Sequence, residues 1–578
     1  MSRIPQVPTF VELLRHRASV TPDKVAYIFL RDGQGDEVPL TYAQLDRKAR
    51  QIACYLQEKM PTGSRVLINH TPGLDYISSF FGCLYASMVA VPVYPPRFNQ
   101  KLDRLNSIVQ SASPAAALTS KQTMDGMRAG IAENVHLKPL LWIESDTLPD
   151  EEPGKELAMP PENSLAFLQY TSGSTSDPKG VMLSHGNIMS NMACINEKFG
   201  LHNDSVGVVW LPPYHDMGLI GGVLEPAYGG FPIILFSPFT FLQRPYRWLQ
   251  AITKYRATTT GGPNFAYELC TRRITDEQMA EMDLSSLELT FCGAEPIRAE
   301  MIEKFSARFA ACGFKRSSFY PCYGLAEATL MVSGGSKLEE PVFQSIDGNR
   351  LENEGIAVSV PFSPERNQRR IVGCGTVVPG HKVRIVNPQT LAECKEGQVG
   401  EVWFSGPSVA QGYWQREQDT ESHFHARLEG DTSGDRYLRT GDLGFLLDSE
   451  LFVTGRLKDL LIIHGRNLYP QDIELTVGEC HASLKAGAGA AFAIHLGEEE
   501  KLVVVQELER KSKEADVNEI ATRIRAAVME SHGVSPYAIS LIEPNTIPLT
   551  SSGKIQRHAA RKLFLGGELR ERGRFLEK

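Results

Sequence analysis

The stretch YTSGSTSDPKG at residues 170–180 combines hydroxyl side chains, glycines and one lysine in a pattern that can hold an anion. The backbone N–H groups and hydroxyls of such a loop can surround phosphate oxygens, and Lys179 adds a positive charge. A Walker loop requires glycine where Pro178 stands, which excludes the P-loop kinase and GTPase pattern. Because the loop lies between an apolar run, LAFLQY, and a predicted helix, SHGNIMSNMAC, we expect phosphate near a helix N-terminus. A solvated Ser/Gly turn is the alternative interpretation.

Polar side chains able to do chemistry recur in later stretches. These are WLPPYHDMGLIGG (210–222), SFYPCYGLAEATL (318–330), YLRTGDLG (437–444), GRLKDLLIIHGRNLYPQDIE (455–474) and PLTSSGKIQRH (548–558). In this order and spacing, and together with the opening loop, they resemble the adenylate-forming superfamily over nearly the whole chain. Four of these sequence motifs resemble its fatty acyl-AMP ligase branch more than ordinary acyl-CoA ligases: LQYTSGST, PPYHDMGLIGG, CYGLAEATL and IIHGRNLYPQDIE.

The resemblance implies a ligase reaction in two steps. A fatty acid carboxylate attacks the α-phosphorus of ATP, which expels pyrophosphate and leaves an acyl-adenylate. A thiol then attacks the acyl carbon and expels AMP. The first step brings two anions together, so positive charge and positioning are expected to supply most of the catalysis. ATP and Mg²⁺ are the expected cofactors.

The resemblance also assigns residues to nucleotide binding. The expected ATP or AMP contacts are Thr171, Ser172, Gly173, Ser174, Thr175, Lys179, Gly293, Ala294, Glu295, Tyr323, Gly324, Leu325, Ala326, Asp442 and Arg456. Tyr323 is expected to stack on adenine, Asp442 to accept hydrogen bonds from the ribose hydroxyls, and Arg456 to reach ribose or phosphate. Their alternative roles are a core tyrosine, a turn aspartate and a surface ion pair.

Two residues carry the chemistry that the resemblance implies. Glu327, supported by Thr175, is the expected magnesium ligand, since a carboxylate suits Mg²⁺. Lys554 is the expected catalytic lysine, carried to the carboxylate and α-phosphate by a flexible loop. Otherwise Glu327 is an exposed acid and Lys554 a surface lysine. Many superfamily members have threonine where this chain has Ala326, but the branch tolerates alanine.

Three further residues have expected roles around this chemistry. His215 and Asp216 border the acyl pocket as a polar gate, with His215 also counted among the catalytic residues. The alternative for His215 is a hydrogen-bonded core histidine, and no spacing suggests a metal role. Asp459 is the expected hinge residue, about which the small domain swings to exchange the lysine loop for the GRNLYP loop.

Composition limits the other functions open to the chain. It has 578 residues, is 42% hydrophobic and 22% charged, and carries a formal net charge of -8, which argues against broad nucleic-acid binding. Its ten cysteines are scattered without CxxC spacing, as expected in a reducing cytoplasm. The uncharged stretch 76–96 contains serines and prolines, so we interpret it as a buried helix and strand rather than a membrane span. No signal peptide is evident.

The pattern of apolar runs predicts an α/β fold. Residues 1–455 are expected to form a large N-terminal adenylation domain of stacked α/β subdomains with mostly parallel sheets, including strands at RVLINH and FPIILF. Its last part, 371–455, is predicted to be a small β-barrel-like subdomain. A hinge at 456–460 leads into a small mobile α+β C-terminal domain, 461–578, whose tail is predicted as a basic amphipathic helix.

The polar segment 336–370 contains two candidate strands, VFQSI and IAVSV, where the fatty acyl-AMP ligase branch carries an insertion. There the insertion accompanies poor use of coenzyme A, and the thiol belongs to the phosphopantetheine arm of an acyl carrier protein. We expect a separate carrier, since the chain ends soon after the lysine motif. An acyl-CoA ligase, a nucleotide-binding regulatory protein without activity and an amino-acid adenylating protein remain alternatives.

Overall fold

The computed structural model describes residues 4–95, 102–149, 156–171, 178–363, 367–463, 465–496, 499–512, 515–550 and 553–577. Helices and strands alternate through the first half of these residues, as the sequence predicts for an α/β fold. The helices there are α1 (Phe10–Val20), α2 (Tyr42–Lys59), α3 (Leu74–Tyr85), α4 (Asp103–Ala112), α5 (Lys121–Glu133), α6 (His185–Phe199), α7 (Glu225–Gly229), α8 (Pro238–Gln243), α9 (Tyr246–Tyr255), α10 (Asn264–Arg273), α11 (Asp276–Met279) and α12 (Ala299–Phe309).

The strands of this half build two large sheets. They are β1 (Val25–Leu30), β2 (Glu37–Thr41), β3 (Arg65–Ile68), β4 (Val89–Pro92), β5 (Ala116–Thr119), β6 (Leu141–Glu144), β7 (Leu165–Thr171), β8 (Lys179–Ser184), β9 (Gly207–Val209), β10 (Ile233–Phe236), β11 (Thr259–Gly262), β12 (Leu289–Cys292), β13 (Phe319–Gly324) and β14 (Met331–Gly334). Strands β3 and β10 match RVLINH and FPIILF. Helix α3 and strand β4 confirm the buried helix and strand predicted for 76–96.

Short strands and one helix follow in the next part of the chain. These elements are β15 (Phe343–Asp347), α13 (Gly348–Glu354), β16 (Gln368–Val372), β17 (Thr376–Val377), β18 (Lys382–Val386), β19 (Gly400–Ser405), α14 (Glu417–Phe424), β20 (Leu438–Leu447) and β21 (Glu450–Arg456). The prediction of a strand at VFQSI is confirmed by β15. The one at IAVSV is wrong, because Ile356 and Ser359 make only isolated bridges, to Gln398 and Ile346.

The remaining elements include a four-stranded sheet of order β24-β25-β26-β27. They are β22 (Leu461–Ile463), β23 (Arg466–Leu468), α15 (Pro470–Glu479), β24 (Leu484–Leu496), β25 (Glu499–Leu508), α16 (Val517–His532), β26 (Ala538–Ile542), α17 (Arg557–Gly566) and β27 (Glu571–Leu576). The tail is a helix only in its first half. Residues 571–576 instead pair with β26, since they alternate between half-buried and exposed positions as an edge strand does.

Sheet order explains which strand ends meet. One sheet runs β6-β5-β3-β4-β7-β8 and a second runs β17-β14-β13-β12-β11-β9-β10-β1-β2. Most neighbours in both are parallel, with antiparallel pairs such as β7–β8 and β13–β14 at or near the edges. All four residues of β4 and of β12 are buried, as expected for parallel sheets covered on both faces. Helix α2 begins with a Thr41–Gln44 capping box.

Hydrophobic residues gather in separate clusters along the chain. The largest contains residues between Phe10 and Leu451, and another contains residues between Leu461 and Leu541. The predicted boundaries at 455 and 461 stay predictions. Among the described residues, no helix is both long enough and apolar enough to cross a membrane.

Candidate active site

Two neighbouring parallel strands bring the CGAEPI and CYGLAEATL stretches together. In the register of β12 and β13, Cys292 lies opposite Pro321, so Gly293, Ala294 and Glu295 leave one strand beside Tyr323. Gly293 is required by this approach, because a Cβ atom there would lie 2.9 Å from the Cys322 carbonyl oxygen. Ala294 has a φ of +70°, an uncommon conformation for a non-glycine residue. The carboxyl ends of parallel strands are where α/β folds place ligands.

Three side chains on strands of two sheets form a trio joined by a hydrogen bond and an ion pair: Tyr323, Asp442 and Arg456. The Tyr323 hydroxyl donates to Asp442 Oδ2 at 2.7 Å, and Arg456 Nε lies 3.3 Å from Asp442 Oδ1. Asp442 and Arg456 are direct partners in the β20–β21 register, which fixes their relation through the backbone. Asp442 raises the pKa of the Arg456 guanidinium, and burial is the main cause of the raised pKa of Tyr323. An ionised carboxylate has about four acceptor positions, so two remain for ligand hydroxyls.

Glu327 lies in a tight 3₁₀ turn, Ala326–Ala328, immediately after β13. Its carboxylate Oε1 accepts a 2.9 Å hydrogen bond from the Tyr413 hydroxyl, and its backbone oxygen accepts one from Ala410 N–H, also 2.9 Å. Burial raises the pKa of the Glu327 carboxyl, and the Tyr413 bond opposes that rise. Ala326 is buried. The turn therefore holds the Glu327 carboxylate just beyond the carboxyl end of β13.

Close backbone contacts hold the Glu327 turn in place. A Cβ atom at Gly324 would lie 1.9 Å from the Leu330 carbonyl oxygen, so only glycine fits there. Thr329 has a φ of +70°, a strained conformation for a β-branched residue, and its buried hydroxyl donates to the Ser408 carbonyl at 2.6 Å. Strain of this kind persists where the surrounding structure fixes it, often at functional sites.

The glycine-rich loop connects two antiparallel strands rather than a strand and a helix. Thr171 ends β7 and is paired with Lys179, which begins β8. The expectation of a helix N-terminus beside the loop is wrong, because α6 begins only after the six residues of β8, at the other end of that strand. KGVMLS is extended since it pairs with LAFLQYT along its length. Ser172, Gly173, Ser174 and Thr175 lie outside the described residues.

Lys179 is held by two groups from one segment downstream. Its Nζ lies 2.9 Å from Asp419 Oδ2 and 4.7 Å from the centroid of the Tyr413 ring. The hydrogen bond from Lys179 is the main reason that the pKa of Asp419 is lowered. Lys179 and Glu327 are thus joined through Tyr413.

Lys554 lies in a turn that begins at Thr550. The turn is closed by Thr550 N–H to the Lys554 carbonyl (2.8 Å) and by Lys554 N–H to Thr550 Oγ1 (3.0 Å), with Gly553 at a φ of +85°. Burial lowers the pKa of the Lys554 ammonium group, while Asp216 is the carboxylate that opposes this most strongly. Arg456, Glu295 and Asp442 also act on its charge. Two members of the trio, Asp442 and Arg456, therefore act electrostatically on Lys554.

A clamp three residues after Lys554 involves the predicted hinge residue. Arg557 donates to Asp459 Oδ2 at 2.8 Å and to both carboxylate oxygens of Glu474, at 2.7 and 2.8 Å. Asp459 ends the 3₁₀ turn Leu457–Asp459, which follows β21 directly. The hinge position and the lysine-bearing turn are linked by one guanidinium group.

His215 and Asp216 precede a π-helical segment, Met217–Leu224. Such segments are rare in proteins overall, but many of those that occur lie at functional sites. A Cβ atom at Gly218 would lie 2.0 Å from the Pro212 carbonyl oxygen, so the chain turns tightly here. Asp216 is half-buried, its pKa is raised chiefly by burial, and it acts electrostatically on both Glu327 and Lys554. The acyl-pocket role of both residues stays a prediction.

The chemistry of the donors at Glu327 suits magnesium held partly by a ligand. One hydrogen bond occupies part of the carboxylate, and the remaining lone pairs are hard oxygen donors of the kind Mg²⁺ prefers. Among the residues that the structure describes, no group of three His, Cys, Asp or Glu side chains could hold an ion by itself. The donors at Glu327 therefore fit a cation shared with phosphates, for which Glu327 would be the protein ligand.

The segment 336–370 contacts both sides of the predicted hinge. Glu352 of α13 is fully buried and pairs with Arg369 and with Arg466 of the GRNLYP stretch. Arg370 makes two hydrogen bonds to Glu303 of α12, at 2.7 and 3.0 Å. Leu351 packs in a small apolar cluster that also contains Phe445, Phe452 and Tyr469. The predicted insertion therefore ties α12 and β20–β21 to the GRNLYP stretch.

Four residues at these contacts have no role in the sequence-based prediction: Tyr413, Asp419, Arg557 and Glu352. Tyr413 is 86 residues from Glu327, and its hydroxyl carries no charge that would single it out. Arg557 lies within the PLTSSGKIQRH stretch, three positions after Lys554, and this closeness is a signal that could have indicated it.

Comparison with known proteins gives consistent results over the chain. A model of the family described as AMP-binding enzyme matches residues 14–414, and one described as Disco-interacting protein 2-like, AMP domain, matches residues 458–573. The medium-chain-fatty-acid–[acyl-carrier-protein] ligase JamA of Moorena producens is 46% identical, covering 98% of this chain and 96% of its own. The putative fatty-acid–CoA ligase FadD21 of Mycobacterium tuberculosis is 36% identical, covering 95% and 96%.

Solved structures agree with these matches. The crystal structure of a fatty acyl-adenylate ligase from L. pneumophila, in complex with acyl adenylate and pyrophosphate, has a TM-score of 0.77 at 40% identity. The alignment covers 99% of this chain and 98% of that one.

Proposed function

Since the chain belongs to the AMP-binding enzyme family, in its fatty acyl-AMP ligase branch, we propose that it converts a fatty acid and ATP into acyl-adenylate and pyrophosphate. The acyl group then passes to the phosphopantetheine thiol of a separate acyl carrier protein. The observation that carries the proposal is the bonded trio of Tyr323, Asp442 and Arg456, together with the electrostatic action of Asp442 and Arg456 on Lys554. JamA, whose name gives a medium-chain fatty acid and a carrier protein, supports the choice of both substrates.

In the first step, a carboxylate oxygen of the fatty acid bonds to the α-phosphorus, and the bond from that phosphorus to the bridging oxygen breaks. The electron pair of the broken bond leaves with pyrophosphate. Asp442 accepts hydrogen bonds from the ribose, and Tyr323 covers the adenine ring. Lys554 neutralises the two anions as they approach, an electrostatic role of the type that gives enzymes their largest single contribution.

In the second step, the phosphopantetheine thiol loses its proton to solvent, its sulfur bonds to the acyl carbon, and the bond from that carbon to the phosphate oxygen breaks, which releases AMP. We propose that Lys554 first withdraws by rotation about Asp459. The Arg557 clamp on Asp459 and Glu474 must rearrange if the hinge backbone changes at this position.

Glu327 would hold Mg²⁺, with Thr175 as the predicted second contact. When bound, the ion supplies charge neutralisation on the phosphate oxygens. The half-buried Glu327 carboxylate, fixed by the Tyr413 hydrogen bond, presents its remaining lone pairs to that ion.

Pyrophosphate exchange into ATP tests the first step directly. We expect exchange only when a fatty acid is present, with chain lengths from about eight to sixteen carbons compared in parallel. Lys554→Ala should abolish fatty-acid-dependent exchange, whereas Lys562→Ala, an exposed lysine on α17, should leave it unchanged. Exchange with amino acids only, or with no acid, would contradict the proposal.

We also propose that the segment 336–370 limits the use of coenzyme A by holding the GRNLYP stretch. The supporting contact is the ion pair of the fully buried Glu352 with the partly buried Arg466. FadD21 supports the second candidate function, an acyl-CoA ligase, through its name. Thioester formation with coenzyme A and with a carrier protein distinguishes the two.

A matched pair of variants tests the role of this segment. Glu352→Gln keeps the size of the side chain but removes the charge shared by two arginines, while Glu354→Gln removes an exposed ion pair with Arg350 on the same helix. We expect acyl-CoA formation to rise in the first variant only. A folded variant lacking 336–370 that still makes no acyl-CoA would show that the segment is not the barrier.

We propose a cytoplasmic location, since none of the ten cysteines is in a disulfide and they are scattered along the chain.

A further inference from the structure

Tyr413 lies between the two charged residues that flank the predicted triphosphate position. Its hydroxyl donates to Glu327 Oε1 at 2.9 Å, while the Lys179 ammonium nitrogen lies 4.7 Å from the centroid of its ring. The tyrosine is buried, being 7% exposed. A single side chain thus contacts the carboxylate of Glu327 and the ammonium group of Lys179, which lie more than a hundred residues apart in the sequence.

Backbone contacts fix the position of Tyr413 independently of these two residues. Gly412 accepts a hydrogen bond from Met182 N–H (2.9 Å) and Trp414 N–H donates to Gly180 (2.8 Å), so Tyr413 bridges to Val181 of β8. The Tyr413 N–H donates to Thr420 Oγ1 at 3.0 Å. Residues 412–414 therefore continue the sheet beyond β8.

The same segment also reaches the Glu327 turn through its backbone, because Ala410 N–H donates to the Glu327 carbonyl at 2.9 Å. The turn that carries the acid and the strand that carries the base are held by one short stretch, 410–414. Within it, Tyr413 is the side chain that touches the functional group of each.

We propose that Tyr413 is a positioning residue that orients the Glu327 carboxylate for a metal ion and the Lys179 ammonium group for the phosphates of a metal–triphosphate complex. This rests on the proposed function, in which Glu327 receives the metal, and on the prediction that Lys179 contacts the phosphates. The hydroxyl fixes the orientation of one carboxylate oxygen and leaves the other to the cation. The ring face holds the ammonium group by a cation–π contact.

Asp419 completes the arrangement from the other side of Lys179. Its carboxylate lies 2.9 Å from the ammonium nitrogen, so Lys179 is held between a carboxylate and an aromatic face. An incoming phosphate therefore finds the ammonium group already oriented. The Tyr413 ring also packs on Phe424, with ring centroids 5.1 Å apart, a contact that a purely structural tyrosine could make. Its proposed role differs because it orients two charged groups at once.

The experiment is calorimetric titration of ATP into the full chain at a series of Mg²⁺ concentrations, without fatty acid. For Tyr413→Phe, which keeps the ring, we expect the Mg²⁺ concentration that gives half-maximal ATP affinity to rise about tenfold. ATP affinity without Mg²⁺ should stay within about twofold of the parent. Tyr413→Leu, which also removes the ring, should weaken ATP binding without Mg²⁺ as well.

Tyr85→Phe is the matched control. Tyr85 is also buried, and its hydroxyl donates to a carboxylate, Asp46 Oδ1, at 2.7 Å, in a separate part of the chain between α3 and α2. We expect its Mg²⁺ dependence to equal that of the parent chain. This comparison separates loss of a buried Tyr–carboxylate bond from loss of this particular one.

Two results would overturn the inference. One is an unchanged Mg²⁺ dependence in Tyr413→Phe. The other is an equal loss of ATP affinity with and without Mg²⁺, accompanied by lower thermal stability, which would show a structural role only. Because the titration needs no fatty acid, it stays informative even if the parent chain shows no fatty-acid-dependent pyrophosphate exchange, the result that would defeat the proposed function itself.

Discussion

Asp442 is bonded to both Tyr323 and Arg456, whereas Lys554 lies in a turn that follows Thr550. The trio stands on strands β13, β20 and β21 of two sheets and is fixed by their registers. Lys554 is held by a turn of three hydrogen bonds, and Arg557 on the following helix is bonded to Asp459. We therefore expect the nucleotide side to be preorganised and the lysine side to be delivered. This difference suits a reaction in which the lysine must leave between two steps.

The largest expected effect comes from removing the delivered group. Lys554→Ala should raise the activation free energy of adenylate formation by about 3–4 kcal/mol, the magnitude typical of one lost electrostatic contact in a transition state. ATP affinity should hardly change, since the trio is intact. Single-turnover formation of acyl-adenylate and calorimetry measure the two quantities. An equal loss in both would mean that the two sides are not separable.

Changing Asp442 on the nucleotide side should lower ATP affinity more than it lowers the rate, the reverse of the effect expected for Lys554. Asp442→Asn keeps the shape but loses charged hydrogen bonds, and ATP affinity should fall by about 1.5–3 kcal/mol. The rate at saturating ATP should fall less. Asp448→Asn, in the exposed turn after β20, is the control. Unchanged ATP affinity in the Asp442 variant would contradict its ribose role.

A smaller effect is expected at the link between the two sides. Arg557→Ala leaves Asp459 and Glu474 without a shared cation, so the lysine turn should be held less firmly. We expect adenylation to slow about tenfold, which corresponds to about 1.4 kcal/mol, with ATP affinity unchanged. Arg523→Ala removes an exposed pair with Glu519 and should have no effect on either quantity. A faster second step in the Arg557 variant would sharpen the comparison further.

The smallest effect concerns pH. Burial lowers the pKa of Lys554, so the charged form is lost, and adenylation falls, at a lower alkaline pH than for an ordinary lysine. Asp216 raises this pKa, so Asp216→Asn should shift the alkaline limb of the rate profile to still lower pH. Asp204→Asn, at an exposed position, should not shift it. A shift to higher pH in the Asp216 variant would contradict this assignment.

The sequence predicted the α/β class because apolar runs of strand length alternate with helical patterns, and β3, β4 and β10 fall where those runs lie. Motif wording indicated which of its residues belong to one cleft, since Tyr323, Asp442 and Arg456 lie in stretches of recognisable type. Roles in binding and catalysis stay predictions until they are measured.

Tertiary pairing decided what the sequence could not. The KGVMLS run is short enough for a loop, but pairing with β7 makes it a strand and moves α6 away from the glycine-rich loop. The second half of the basic tail is an edge strand because β26 offers it an unpaired edge. Tyr413 and Glu352 were missed for the same reason. Neither side chain is unusual in its local sequence, and each acquires importance only from what folding brings beside it.

The hydrogen bond from Tyr323 to Asp442 joins residues 119 positions apart. Contacts of such long range form late, because the entropy of closing the intervening loop must be overcome first. During synthesis, a chain released before β20 has emerged cannot complete the pocket, however well β12 and β13 have paired. Nucleotide binding thereby reports that two sheets have folded and met, and saturating ATP selectively stabilises molecules that have reached that stage.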